Sequence, residues 1–411
     1  MTPDAALPTS LISHRPFVLF WLARTLSTVA LQMQAVAVAW QMYELTRKPL
    51  DLGFVGLAQF IPALLLSLLA GHLADRHDRR VIVSLCQIVA GLAIAVLAAG
   101  TAYGWLSRNT ILAVVFVLGA ARAFESTTLQ TLVLAVVPQA LVARATAASS
   151  SATQLAVIAG PAIGGLFLAV SPLLVYALCC TFYVTAAVLT WLIPIERPPA
   201  AREPLSLAVL FAGVHHIRQN RIILGVISLD LFAVVIGGVT ALLPIFANDV
   251  FGLGPEGLGQ LRAAPGVGAL IVAIAMTRWS PRRAVGRTMF IAVAAFGAAI
   301  LVFGLSRSFL LSLFALSVLG AADMVSVVIR MTLVQLESPD AVRGRVSAVN
   351  SLFVQASNQL GEFRAGLLAS WIGTIPTVLI GGVGTLLVVL ASRKIFAELY
   401  NVDAFERERR R

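Results

Sequence analysis

The amino-acid sequence predicts an all-α membrane protein with twelve transmembrane helices, arranged as two six-helix parallel repeats. Three observations predict this fold: the apolar composition, the distribution of Lys and Arg, and an internal duplication. Of the 411 residues, 59% are hydrophobic and 12% are charged, whereas about a quarter of the residues of a soluble protein are charged. No single core could bury so many apolar side chains, so we expect lipid to be the solvent.

Long apolar runs follow one another along the chain, each near the length of about 20 residues that crosses a bilayer. None shows the alternating pattern of a membrane β-barrel. The first run is too long for a secretory signal, and no small-residue cleavage site follows it, so we expect it to stay in the mature protein. The predicted spans are 17–43, 52–74, 81–103, 110–136, 148–170, 173–193, 221–247, 257–276, 288–305, 309–335, 346–371 and 375–392.

The positions of the basic residues predict the orientation of these spans. An even number of spans puts both termini on one side. If that side is the cytoplasm, 21 of the 30 Lys and Arg residues lie on cytoplasmic loops and tails, four on outer loops and five inside spans, with Arg221 at the start of the seventh span counted as cytoplasmic. This asymmetry follows the positive-inside rule and predicts cytoplasmic termini. The net charge of +11 therefore indicates membrane topology, and we expect no nucleic-acid partner.

The reactive side chains do not form a recognisable enzyme site. The three Cys residues lie inside predicted spans, and the five His residues lie outside them or, at His72, at the end of one. They give no disulfide framework and no metal-ligand spacing. No paired catalytic groups or phosphate-binding loop are present either. We therefore predict no metal and no cofactor, and an enzyme is the least favoured class.

An internal duplication relates the two halves of the chain. VLGAARAFESTTLQTLV at 117–133 and VLGAADMVSVVIRMTLV at 318–334 match at an offset of 201, which continues through the next helix. Earlier in each half the offset is 206, as between Pro49 and Pro255. The predicted domains are an N-terminal six-helix bundle at 1–193, a cytoplasmic linker with an amphipathic helix at 194–220, and a C-terminal six-helix bundle with a basic cytoplasmic tail at 221–411. A parallel duplication of six helices is the architecture of major facilitator transporters, whose binding site lies between the halves.

The stretch GHLADRHDRR at 71–80 resembles the signature loop between helices 2 and 3 of the major facilitator superfamily. The residues that match are Gly71, Asp75, Arg76, Arg79 and Arg80. Asp78 stands where the family usually has Gly, and Pro281 of the second-half loop stands where Asp75 stands in the first. We predict that Asp75 pairs with an Arg or a helix end and forms a one-sided latch of the cytoplasmic gate. The alternative is a loop that only anchors the topology.

The stretch AVIAGPAIGG at 156–165 resembles the fifth-helix motif of the proton-antiporting exporters in this superfamily. The matching residues are Gly160, Pro161, Gly164 and Gly165, and Ala156 replaces the first Gly of the motif. Small residues at this spacing allow close helix contact, and Pro bends the helix. Ordinary close packing of helices is the alternative interpretation.

Over nearly its whole length the chain is similar to the enterobactin-exporter and macrolide-efflux group. The similar stretches are 20–46, 71–83 and 328–353. The resemblance implies a secondary active transporter, a proton-coupled antiporter that exports a bulky amphipathic siderophore or drug-like compound across a bacterial inner membrane by alternating access. The implied partners are a small-molecule substrate, protons and the lipid bilayer, and we expect a monomer. A facilitator or importer, or a non-transporting membrane sensor with the same fold, are the alternatives.

Ionisable residues inside spans cost about 2.5–3.5 kcal/mol on insertion scales and are therefore candidates for function. We predict that protons are carried by Asp323 first, then Glu125, then Asp230, because Asp323 has no cation one turn away on its own helix. At the repeat offsets Arg24 corresponds to Asp230 and Arg122 to Asp323, so we expect the halves to present opposite charges to each other. Static ion pairs that orient helices are the alternative. The candidates for the cavity and substrate are Arg24, Arg122, Arg330, Gln34, Gln41, Gln130, Gln355 and Asn358.

Overall fold

The computed structural model describes residues 11, 13–194, 214–278 and 283–404. Within these ranges, only the backbone is described at 67, 68, 71, 72, 74–76, 134, 340 and 341. Much of the predicted linker, 195–213, therefore lies outside the described residues, as do the last residues of the basic tail.

The described residues form helices and contain no β-strand. In the first half the helices are α1 (Arg15–Thr46), α2 (Pro49–Arg76), α3 (Arg79–Ala102), α4 (Arg108–Val136), α5 (Val142–Val170) and α6 (Pro172–Trp191). In the second half they are α7 (Arg221–Gly237), α8 (Pro255–Arg278), α9 (Val285–Leu305), α10 (Phe309–Glu337), α11 (Asp340–Ile372), α12 (Thr374–Ile395) and the short α13 (Ala397–Tyr400). A 3₁₀ turn at Gln139–Leu141 precedes α5.

Eleven helices in the described part of the chain are long and apolar enough to cross a membrane. Eleven of the twelve predicted spans each coincide with one helix, and the seventh begins as α7 and continues beyond its end. The predicted all-α membrane fold is confirmed. The helix outside the eleven is α11, whose polarity comes from residues such as Arg343, Arg345, Glu362 and Arg364. Its 33 residues, at about 1.5 Å rise per residue, are nevertheless longer than a bilayer requires.

Several helices begin at a polar side chain that caps their first turn. The hydroxyl of Ser107 accepts a hydrogen bond from an early N–H of α4, and Ser171 and Ser308 do the same for α6 and α10. Asn220 caps α7 by accepting from two backbone N–H groups. These side chains satisfy donors that have no partner inside the helix, so the local sequence determines where the helices begin.

The seventh predicted span is not a continuous α-helix. After α7 ends at Gly237, the chain continues as a 3₁₀ turn (Thr240–Leu242), a single α-helical turn (Leu243–Ile245) and a π-helical turn (Phe246–Val250). At the break, Arg364 Nη2 donates a hydrogen bond of 3.5 Å to the carbonyl of Gly238. Backbone freed by a break inside a membrane needs such a partner.

The chain divides into two compact units. Unit 1 comprises Met1–Ala37 and Ile61–Pro204, and unit 2 comprises Val38–Phe60 and Leu205–Arg411. In unit 1, Phe17 and Phe20 of α1 pack with Leu132 and Val136 of α4. The core of unit 2 joins buried residues of α7, α9, α10 and the chain after α12, among them Val226, Leu229, Met289, Phe290, Ile329, Leu333, Leu399 and Val402.

Candidate functional site

A buried ion pair joins α7 and α10 in unit 2. Arg330 Nη1 contacts Asp230 Oδ2, and the two residues are 3% and 5% exposed. The hydroxyl of Ser326, one turn before Arg330, donates to Asp230 Oδ1 at 3.5 Å, while Arg330 Nε has no hydrogen-bond partner. Sequence reasoning assigned Asp230 to proton transport and Arg330 to the substrate. The structure pairs the two side chains with each other.

Asp323 lies beside this pair in the same small cavity. The cavity is lined by Asp230, Ala233, Val234, Val293, Phe296, Ala322, Asp323 and Ser326. Asp323 is half-buried, three residues before Ser326 on α10. Its carboxylate makes neither a hydrogen bond nor an ion pair within the described residues. Two of the three predicted proton-carrying groups therefore share one cavity, one paired with a cation and one without a partner.

The third predicted carboxylate, Glu125 of α4, belongs to a buried polar chain in unit 1. Thr190 of α6 donates to Gln87 Oε1 at 3.1 Å, and Gln87 Nε2 donates to Glu125 Oε1 at 3.0 Å. Gln87 and Thr190 are 0% and 1% exposed, and Glu125 is 7% exposed. Sequence reasoning expected Arg122 as a possible partner, but the partner that Glu125 has in the structure is the Gln87 amide. Gln87 and Thr190 are functional candidates that the sequence analysis missed.

The two predicted cavity cations of unit 1 have no carboxylate partner there. Arg24 is half-buried on α1 and Arg122 is exposed on α4. Among the described residues of unit 1, neither guanidinium makes an ion pair or a hydrogen bond. The expectation that Arg24 and Arg122 oppose Asp230 and Asp323 stays a prediction.

The predicted amide side chains have different surroundings. Gln34 is buried and its Oε1 has no hydrogen-bond partner, and Gln41 is also buried. Gln130 and Gln355 are exposed. Asn358 donates to the Val354 carbonyl of its own helix at 3.0 Å, so its amide group is used locally.

Most of the predicted gating loop is helical. The backbone from Gly71 to Arg76 forms the last turns of α2. The side chains of Asp75 and Arg76 lie outside the described residues. The predicted latch through Asp75 therefore stays untested.

Asp78 is the residue that caps α3, and it pairs with Arg80 at 2.7 Å. Hydrogen bonds from Arg80 lower the pKa of the Asp78 carboxyl. Arg80 also donates to the Ile193 carbonyl at 2.8 Å, and the buried Arg79 donates to the Thr131 carbonyl at 3.3 Å. Asp78, the position at which this chain departs from the family pattern, thus caps α3 and pairs with Arg80.

The predicted antiporter motif forms the face of α5 that packs against α1. A Cβ added at Gly160 would lie 2.5 Å from Gln32 Cβ, and one at Gly164 would lie 2.9 Å from Met33 Cα. Pro161 and Gly165 are buried on the same helix. Close approach of α1 and α5 therefore requires glycine at both contact positions, which supports the packing interpretation without deciding between packing and antiport.

A polar contact at the end of α1 in unit 2 was not predicted from the sequence. The Tyr43 hydroxyl donates a short hydrogen bond to Asp249 Oδ2. Asn248 donates to Asp249 Oδ1 at 2.6 Å, and Arg47 lies 3.9 Å from the same carboxylate and over the Tyr43 ring. Tyr43 and Asp249 are separated by 206 residues, the repeat offset, and this spacing is the signal that could have identified them.

A second polar cluster lies between α8, α11 and the start of α2, also in unit 2. Arg262 and Glu362 are close enough to interact electrostatically. A Cβ added at Gly56 would lie 2.9 Å from both Gln359 Oε1 and Glu362 Oε2. Arg262 Nε and Gln359 Oε1 are buried without a hydrogen-bond partner. The sequence showed charges here but not which helix they contact.

Known proteins share both the sequence pattern and the fold. The chain is 26% identical over 398 residues to the enterobactin exporter EntS of Escherichia coli O81 (strain ED1a), covering 94% of this chain and 93% of that relative. The same figures hold for EntS of Shigella boydii serotype 18 (strain CDC 3083-94 / BS512). Both relatives are named as exporters.

Solved transporters have the same fold at lower sequence identity. A bacterial homolog of the human lysosomal transporter Spinster matches with a TM-score of 0.72 at 15% identity, covering 95% of this chain and 96% of that one. The xylose transporter XylE from E. coli matches with a TM-score of 0.70 at 12% identity, covering 96% and 97%. The family model described as "Transmembrane secretion effector" (MFS_3) matches residues 7–410. The chain therefore belongs to the transmembrane secretion effector family of the major facilitator superfamily.

Proposed function

We propose that this protein is a proton-coupled antiporter that exports a bulky amphipathic small molecule, of the siderophore or drug-like class, by alternating access. Membership of a secretion family and similarity to enterobactin exporters support the export direction. The observation that carries the coupling is the cavity in which Asp323, without a partner, lies beside the paired Asp230 and Arg330.

Asp323 is suited to carry the proton because its charge is not committed to a neighbouring cation. Asp230 is held by Arg330 and Ser326, so protonating it would leave a buried cation without a counter-charge. Asp323 can gain and lose a proton without breaking an ion pair. Ser326, which donates to Asp230 of α7, lies one turn after Asp323 on the same face of α10.

Arg24 and Arg122 are the groups that we assign to the substrate. A cation inside the membrane costs about 2.5–3.5 kcal/mol on insertion scales, and neither side chain has a carboxylate partner among the described residues of unit 1. An anionic or strongly polar group of the substrate would supply that partner. We therefore propose an amphipathic substrate with at least one acidic group.

We further propose that the protein lies in a bacterial inner membrane with both termini in the cytoplasm. The asymmetry of Lys and Arg between the loops supports this orientation. A reporter that is active only outside the cytoplasm, fused after Arg411, is expected to stay inactive. Reporter activity at that position would overturn the topology.

Transport into proteoliposomes tests the coupling. Purified protein is reconstituted with an imposed pH gradient, and the movement of enterobactin and of erythromycin is followed together with internal pH. Asp323→Asn is expected to abolish proton-coupled movement of the probe while substrate exchange continues. Full proton-coupled transport by Asp323→Asn would show that this carboxylate does not carry the proton.

A further inference from the structure

The starts of α3 and α9 are equivalent positions of the two repeats. Arg79 and Val285 begin these helices, and they differ by the repeat offset of 206. Asp78 therefore corresponds to Ala284, and Arg80 to Gly286. In the first half the Asp78 side chain accepts from the Arg80 N–H at 2.9 Å, and the Arg80 guanidinium reaches the Ile193 carbonyl beyond α6. Two side chains thus join the start of α3 to the end of α6.

The second half has lost both of these side chains. Ala284 has no side chain that could cap α9, and its φ of 52° lies in the left-handed region. Gly286 has no side chain that could reach the end of α12. The first N–H groups of a helix nevertheless need acceptors when the helix start is not open to water, and Val285 and Gly286 are buried.

The chain beyond α12 supplies the missing acceptors. Asp403 Oδ1 accepts from the Ala284 N–H at 3.1 Å. The Asp403 carbonyl accepts from Val285 at 3.3 Å, and the Val402 carbonyl accepts from Gly286 at 2.9 Å. Two backbone carbonyls from more than a hundred residues away therefore accept from the first N–H groups of α9, and the Asp403 carboxylate fixes the Ala284 N–H just before them.

The same segment is packed firmly into unit 2. Leu399 is 0% exposed and belongs to the core that contains Met289 and Phe290. A Cβ added at Gly286 would overlap the Leu399 carbonyl oxygen. The glycine that replaces Arg80 is thus the residue that makes room for the tail.

Further contacts reach two other helices. The Phe396 ring lies against Gly225 of α7, and Glu398 lies 3.5 Å from Arg221 at the start of α7. Arg393 of α12 lies over the Tyr400 ring at 4.6 Å. One short segment therefore contacts α7, α9 and α12 together.

We propose that residues 396–403 form a C-terminal clasp, in which Asp403 is the positioning residue that replaces the carboxylate lost from the second-half loop. The clasp holds the ends of α7, α9 and α12 together, so that they move as one body during transport. The structural part of this proposal is independent of the transported compound, and its effect on transport rests on the proposed function.

Hydrogen exchange at the start of α9 tests the clasp directly. In Asp403→Ala, we expect the opening equilibrium at the amide of Ala284, which loses its acceptor, to increase about fivefold, the size expected for losing a helix cap. Asp403→Asn is the matched control, because Asn also caps helices, and its exchange is expected to stay within about twofold of the natural protein. Unchanged exchange in Asp403→Ala would overturn the role of Asp403.

A transplant of the first-half arrangement gives a second test. A chain that ends at Ile395 is expected to lose protection at the start of α9, and adding Ala284→Asp with Gly286→Arg is expected to restore part of it. In the full chain, Gly286→Arg alone should lower the protection at the start of α9, because the Arg side chain has no space beside Leu399. Full protection in the truncated chain, or unchanged exchange in full-length Gly286→Arg, would overturn the clasp.

Transport of enterobactin in proteoliposomes separates the two parts of the proposal. Asp403→Ala should transport more slowly than Asp403→Asn at equal amounts of inserted protein. If Asp403→Ala lost protection but transported as fast as Asp403→Asn, the role of Asp403 in transport would be overturned. Its role in stabilising the start of α9 would remain. Absence of transport by the natural protein would overturn the proposed function but leave the exchange results valid.

Discussion

Removing one member of the Asp230–Arg330 pair tests how the cavity is stabilised. In Asp230→Asn, the Arg330 guanidinium stays buried, at 3% exposure, without a carboxylate. Removing one partner of a buried ion pair typically costs about 3–5 kcal/mol, because the remaining charge is uncompensated. Arg330 Nε already lacks a partner, so no other acceptor within reach is expected to reduce this cost.

The double variant Asp230→Asn with Arg330→Gln distinguishes a charge effect from a packing effect. It removes both charges and keeps side chains of similar size. We expect its free energy of unfolding to lie within about 1–2 kcal/mol of the natural protein, because replacing a whole buried pair is often close to neutral. Asp230→Asn should therefore be less stable than the double variant by at least about 1 kcal/mol.

The free energies of unfolding can be measured by titrating sodium dodecyl sulfate into mixed micelles and following helix content by circular dichroism. Asp323→Asn is the control in the same cavity, and we expect it to change the free energy of unfolding by less than about 1 kcal/mol, since that carboxylate has no partner to lose. If Asp230→Asn and the double variant were equally destabilised, the ion pair would not be what stabilises this site.

Three other substitutions have expected outcomes. Tyr43→Phe removes the hydroxyl that donates to Asp249, and a hydrogen bond to a charged group is worth about 1.5–3 kcal/mol. Hydrogen exchange at the end of α1 should therefore become about tenfold faster or more. Unchanged exchange would contradict the contact. Gly160→Ala should lower the free energy of unfolding by about 1–3 kcal/mol through overpacking. Gly344→Ala is the control and should not lower it, because nothing lies within 4 Å of the added Cβ. Equal effects of the two substitutions would refute the close approach of α1 and α5. Glu125→Gln should lower the free energy of unfolding by less than about 1 kcal/mol, and Glu125→Ala should lower it by about 1–3 kcal/mol more. Only Ala leaves the buried amide of Gln87 unpaired. Equal costs would argue against that hydrogen bond.

The sequence contained enough information for the number of spans and for the fold, because lipid imposes a length and a polarity on every crossing helix. Those constraints act locally and are visible in any window of about 20 residues. The duplication is also a property of the sequence, and its offset makes Tyr43 and Asp249 equivalent positions, whereas the contact between them is visible only in the structure.

The local sequence placed α11 and the motif loop, but it did not show which groups their polar side chains contact. Window hydropathy does not measure what a polar side chain contacts, so α11 reads as the most polar crossing although Arg364 reaches the break after α7. The latch at Asp75 stays a prediction, and the structure adds that Asp78 is the residue that caps α3. A motif identifies positions, but capping depends on the residue at which the helix begins.

From its sequence alone, this protein was determined to be a two-repeat membrane transporter with rare charges inside its helices. Only the tertiary structure decided how those charges are paired: Arg330 pairs with Asp230, Gln87 donates to Glu125, and Asp323 has no partner among the described residues. The reason is physical. Insertion into lipid depends on the summed polarity of one helix, whereas pairing depends on the approach of side chains from different helices within about 3–4 Å, which no local pattern in the sequence encodes.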